Sequence, residues 1–172
     1  MKDALKMAAQ FMALSARTAP KTVGKDYIEI KIIEDDKLAK LGEEMVAYGE
    51  KHGDKSYDRN GRAVAGCGAV LLVALKDAKT AGLNCGACGY DGCEKLPEPH
   101  DGTEFAGPFC AWRLVDLGIA IGSAAKTASI LNVDNRIMYE IGVVARKMNL
   151  IHGDVVLGIP LSATGKNIFF DR

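Results

Sequence analysis

The chain has no apolar run able to span a bilayer. Its longest low-charge stretch, residues 114–125, still contains Asp116 and falls short of the roughly 20 apolar residues a spanning helix needs. It also has no net charge: 22 Lys plus Arg are matched by 22 Asp plus Glu. A nucleic-acid footprint or an anionic-membrane surface would need a basic excess, so neither partner is expected. Histidine is scarce. His52, His100 and His152 are scattered through polar, glycine-rich or proline-rich segments, with no pair at metal-ligand spacing, and each is read as a surface residue. No secretory leader is visible, because Lys2, Asp3, Lys6 and Arg17 interrupt the apolar N-terminal pattern. There is no internal repeat. These absences point to the cytoplasm, where thiols stay reduced. The cysteine count is five, an odd number that argues against a pure disulfide framework.

What is present is the balance of a globular protein, 48% hydrophobic and 26% charged over 172 residues. One domain over residues 1–172 is expected, large enough for its own core. Residues 3–17 follow a helical face through Leu5, Ala8, Ala9, Met12 and Ala16, and Pro20 ends it. Residues 27–33 alternate as a strand with Ile28, Ile30 and Ile32 inward. A second helix is expected over 36–51, then a polar loop over 52–61. Residues 69–75 (AVLLVAL) are continuously apolar, as in a strand covered on both faces. Residues 111–131 form the strongest helix, with Leu114, Leu117, Ile121, Ala124, Ala125 and Ala128 on one side. Gly118 and Gly122 cost that helix about 1 kcal/mol each relative to Ala, so a close backbone approach is expected there. A helix over 134–148, with Ile137, Ile141, Val144 and Met148 on one face and capped by Asn132 or Asp134, and a strand over 154–159 complete an α+β layered domain.

Three cysteines fall in CGACGYDGC. Cys85, Cys88 and Cys93 are spaced C-x2-C-x4-C, and Cys110 follows at the start of the long helix. An iron–sulfur cluster needs thiolates converging from a compact loop. Gly86, Gly89 and Gly92 allow left-handed turns that aim backbone N–H groups at an anionic centre. A Zn(Cys)4 site uses the same thiolates but usually as two short pairs. A redox pair at Cys85 and Cys88 leaves Cys93 and Cys110 unused, and disulfides conflict with the compartment. Cys67, at the mouth of the buried strand, is read as a small core residue.

CGACGYDGC with the distant Cys110 resembles the four-cysteine motif of a ferredoxin-like module. That resemblance implies that Cys85, Cys88, Cys93 and Cys110 hold one [4Fe–4S] cluster. SARTAPKTVGKDYIEIKII, VDLGIAIGSAAKTASILNV and DVVLGIPLS are similar to the opening helix, central helix and late strand of flavin-dependent nitroreductases. Over nearly the whole chain, through NVDNRIMYEIG and GIPLSATGKNIFFDR, the sequence resembles a family of ferredoxin-domain-containing proteins. The resemblance implies a nitroreductase-like mixed sheet packed with helices, residues 76–110 inserted as the cluster loop, a homodimer and one-electron transfer. FMN as a second cofactor and a redox partner protein are left open by it. The cations on offer to a flavin phosphate are Arg17, Lys21, Lys25, Lys166 and Arg172. The alternative is a non-catalytic protein whose metal, zinc or a redox-silent cluster, staples the loop.

GIPLSATGKN fails as a phosphate loop: its spacing is G-x6-G-K, and Asn167 stands where Ser or Thr would hold magnesium. Arg113 and Asp116 are expected to form an i,i+3 surface pair, with tuning of the cluster as the other reading. Trp112, two residues after Cys110, shields the cluster or fills the core.

Overall fold

Because residues 69–75 carry no polar face, the strand they form has to be covered on both sides. The computed structural model, which describes residues 1–170, does this with three layers. The elements are α1 (Lys2–Thr18), β1 (Ile28–Ile33), α2 (Asp36–His52), α3 (Lys55–Ala65), β2 (Ala69–Leu75), β3 (His100–Asp101), β4 (Ala106–Gly107), α4 (Ala111–Ile130), β5 (Asp134–Asn135), α5 (Tyr139–Lys147) and β6 (Val155–Ser162). The main sheet is antiparallel in the order β1-β2-β6-β5. Leu75 pairs with Ile28 and Val155 at one end, and Ala69 pairs with Leu161 at the other.

The period of two along β2 divides the core. Ala69, Leu71, Val73 and Leu75 pack with Leu5, Ala9 and Met12 of α1 and with Leu117, Ile121 and Ala124 of α4. Val70, Leu72 and Ala74 face Leu38, Leu41 and Met45 of α2 and Ile141 and Val144 of α5. Ile28, Ile30 and Ile32 join the first layer as the alternation predicts. Among the described residues, no helix is long and apolar enough to cross a membrane.

Three local expectations are corrected. The loop expected over 52–61 is mostly α3. Asp54 caps it by accepting from the Ser56 N–H at 2.8 Å, a contact worth about 1 kcal/mol. α3 then lies so close to α2 that a Cβ on Gly61 would stand 2.6 Å from the Gly42 carbonyl oxygen. The helix expected from 134 starts only at Tyr139. Residues 134–135 pair with β6 instead, and Met138, with no side-chain cap bond, stands where Asn132 or Asp134 was expected to cap; Ile137 is exposed rather than on the inner face.

The third correction concerns α4. Its inner face is rotated from the expected one: Leu114 is exposed, while Arg113 and Asp116 are buried beside Leu117, Ala120 and Ile121. No atom lies near where a Cβ on Gly118 or Gly122 would project, so these glycines do not serve a close contact within the chain.

Candidate metal centre

Residues 76–110 leave the sheet end formed by Ile28, Leu75 and Val155, and both legs are fastened to the body. On the outgoing leg, the Lys76 N–H donates to the Tyr27 carbonyl at 2.9 Å and the Asp77 N–H to Asp154 Oδ2 at 2.8 Å. On the return leg, the Ala106 N–H donates to the Asp154 carbonyl at 2.9 Å. Tyr48 and Tyr57 donate from their hydroxyls to Glu104 Oε1 at 3.0 and 3.2 Å. Arg146 donates to the Glu104 carbonyl at 3.3 Å and pairs with Asp101. Burial first, and then the neighbouring Glu104 carboxylate, push the Tyr57 and Tyr48 phenols upward, so both hydroxyls remain donors.

The tip carries the thiols. Asn84, Gly86 and Gly89 adopt positive φ of 48°, 70° and 88°, and the Gly89 N–H closes a turn on the Gly86 carbonyl at 2.9 Å. Asn84 and Cys93 clasp each other. The Asn84 N–H donates to Cys93 Sγ at 3.4 Å, and the Cys93 N–H donates to Asn84 Oδ1 at 2.9 Å. Cys110 arrives from the return leg as the N-cap residue of α4, and its side chain makes no cap bond. Cys110 thus sits at the positive end of a long helix, which favours an anionic ligand set there.

Cys85, Cys88, Cys93 and Cys110 line one hollow with Gly86, Gly92 and Trp112. It spans about 280 Å³ including space open to solvent, of which about 10 Å³ would take a water molecule. All five cysteines are free thiols. Among the described residues, no three His, Cys, Asp or Glu side chains are gathered as they stand to hold a metal ion. The donor set fits an iron–sulfur cluster in kind and number. The four cysteine side chains would have to turn into ligating positions as it binds. The Cys85 thiol is held below its ordinary range, first by the Ala87 N–H and then by the Trp112 indole N–H.

Behind Cys110 lies a group that sequence reasoning placed at the surface. Arg113 is fully buried, and its Nη1 lies 3.0 Å from Asp116 Oδ2. The guanidinium also donates to the Lys79 carbonyl at 2.8 Å and the Thr22 carbonyl at 3.0 Å, and sits 4.8 Å from the Tyr27 ring centroid. Asp116 Oδ1 accepts from the Thr22 N–H and hydroxyl, both at 2.7 Å. This buried pair ties together the outgoing leg, the α1–β1 connection and the helix that starts at Cys110.

The flavin candidates do not form one cluster. Arg17 donates to Asp26 at 2.6 Å and the Ile28 carbonyl at 2.7 Å, and Lys21 closes the end of α1 through the Ala16, Arg17 and Ala19 carbonyls. These residues and exposed Lys25 lie near the sheet end from which the cysteine loop leaves. Lys166 follows β6 at the other end, and Arg172 lies outside the described residues. Neither Trp112's bond to sulfur nor the burial of Arg113 had a sequence signal beyond proximity to Cys110.

Cys67 is core, as expected, at 8% exposure. Burial pushes its thiol from an ordinary 9.0 up to about 12. The folded chain thus holds this proton more tightly than the unfolded chain does. The associated stability is complete below pH 9 and is lost as pH rises toward the folded value, by about 1.4 kcal/mol per unit. In reducing urea titrations, wild type should lose about 1–2 kcal/mol more than Cys67→Ala between pH 8 and 10. Equal losses in both proteins would contradict this.

A family model described as "Uncharacterized protein containing a ferredoxin domain" matches residues 106–172. An uncharacterized protein of Archaeoglobus fulgidus is 45% identical over 171 residues, 99% of this chain and 92% of the relative. Among solved structures, a nitroreductase with bound FMN from Desulfitobacterium hafniense superposes with a TM-score of 0.58 at 17% identity, covering 93% of this chain and 78% of the other. The FMN-dependent nitroreductase NfnB of Mycobacterium smegmatis, in complex with NADPH, gives a TM-score of 0.61 at 10% identity, covering 95% and 81%. The fold is nitroreductase-like.

Proposed function

This chain belongs to the family of uncharacterized proteins containing a ferredoxin domain, and on that footing we propose that it is a cytoplasmic one-electron carrier. Cys85, Cys88, Cys93 and Cys110 are its cluster ligands, and one [4Fe–4S] cluster is the group they hold. The observation that carries this reading is that all four cysteines line one hollow at the N-terminus of α4. When bound, the cluster supplies reversible one-electron chemistry at a potential set by hydrogen bonds to sulfur, charge and solvent exposure. The chain's part is to present four sulfurs, to direct N–H groups at them and to bury the Cys110 side.

The loop 76–110 is read as an insertion into a nitroreductase-like domain of residues 1–172. FMN is proposed as a second acceptor, a flavin being able to pass electrons on in pairs. Its phosphate would draw on Arg17, Lys21 and Lys25 at the cluster end of the sheet. The protein is proposed to work as a homodimer. The outer stripe of α4, from Trp112 through Val115, Gly118, Ile119 and Gly122, is exposed without an exposed charge. Such a face suits a second copy. A redox partner protein would supply or accept the electron.

Anaerobic purification with metal, sulfide and flavin analysis tests the reading. Brown protein whose broad absorption bleaches on reduction supports it, and flavin bands released on denaturation support the FMN part. Colourless protein with stoichiometric zinc sinks it in favour of a structural metal.

A further inference from the structure

We propose that Trp112 is the positioning residue that closes the four-sulfur site and raises the reduction potential of what it holds. The inference rests on the cluster reading above. Its starting point is a single contact: the Trp112 indole N–H donates to Cys85 Sγ at 3.2 Å. Among the described residues, this is the hydrogen bond that joins the loop tip, residues 83–93, to the body; the tip's other bonds stay within the loop.

The placement follows from chain geometry. Cys110 caps α4, and Trp112 is the second residue of that helix, so the two share one rigid end. Cys85 is the exposed member of the four cysteines. A side chain that reaches from the Cys110 end to the Cys85 sulfur ties the first member of the set to the last. Trp112 is 39% exposed, so it is not filling the core, and indole N–H is a donor with no acceptor role. Its remaining option in water would be a solvent bond. Directing it at sulfur has electrostatic consequences.

Adding an electron to a thiolate-bound cluster increases negative charge on its sulfurs. An N–H dipole aimed at one of them stabilises the reduced state more than the oxidised state. Trp112→Phe keeps the ring and removes the donor. The expected result is iron content like wild type and a midpoint potential more negative than wild type in an EPR-monitored titration. A merely structural tryptophan would not move that potential in this direction.

The chain contains a single tryptophan, which gives a second readout that needs no variant. Loading anaerobic apoprotein with cobalt(II) alone should quench most of the indole emission, because the metal would bind the sulfur that the indole touches. In Cys85→Ala the quenching should be much weaker. A Trp112→Phe protein that loads fully with an unchanged or more positive midpoint overturns the inference and leaves the cluster reading standing. So does emission that stays constant through stoichiometric cobalt binding. Protein that binds neither iron nor cobalt overturns both.

Discussion

Cys110→Ala is expected to give folded protein that retains no stoichiometric iron after anaerobic reconstitution, while Cys67→Ala loads like wild type. The difference follows from position. Cys110 is the N-cap residue of α4, yet its side chain makes no cap bond, so truncating it removes no cap hydrogen bond. It is also the one proposed ligand carried at the start of α4 rather than on the loop tip. Without it the three tip thiols face the start of α4 with no fourth thiolate, and a four-cysteine cluster loses a ligand. Cys67 lies in the opposite core layer, with Val70 and Leu72, and lines none of the cysteine hollow. The readouts are iron and acid-labile sulfide per chain, with circular dichroism as the folding control. Full iron and a wild-type spectrum in Cys110→Ala would mean that another residue is the fourth ligand.

The second large effect concerns stability. Asp116→Ala removes the carboxylate that faces a guanidinium with no exposure to water. A buried charge left without its partner costs about 3–5 kcal/mol. The loss also orphans the Thr22 N–H and hydroxyl, which both donate to Asp116. Urea titration of the metal-free, reduced protein should therefore show a stability loss of about 3–5 kcal/mol. A loss under about 1 kcal/mol, the range of exposed ion pairs, would show that the pair is hydrated in solution. Asp116→Asn, which can still accept from Thr22, should fall between the two.

The sequence made the cysteine site legible because its signal is local: three thiols, interleaved glycines and a fourth thiol at a helix start. The strands were legible for the same reason, since alternation over 27–33 and continuous apolarity over 69–75 are properties of a few neighbouring residues. α3 was hidden. Its burial depends on Gly61 meeting Gly42 across to α2, and a polar segment ending in glycine reads as loop when that contact is unseen. The inner face of α4 was hidden for the opposite reason. Leu114, Val115, Leu117, Ile119 and Ile121 are apolar nearly all around, so periodicity cannot orient the helix. Orientation is set by Arg113 and Asp116, whose partners at Thr22, Lys25 and Lys79 are distant in sequence. A nearby Arg and Asp look like solvated charges until those carbonyls are found. The carbonyl contacts of Lys21 were hidden similarly, because a lysine after a helix can serve its last carbonyls as readily as a ligand.

The fastening of the loop's two legs has a consequence for survival in oxygen. Tyr48, Tyr57, Arg146, Asp154 and Arg113 hold those legs without using any of the four proposed ligands. Stripping the proposed inorganic core would therefore slacken only the strip between Leu83 and Cys93. Domains that condense around their metal collapse when it is withdrawn. This scaffold would stay upright when emptied and could be refilled, making oxidative damage here a repairable injury.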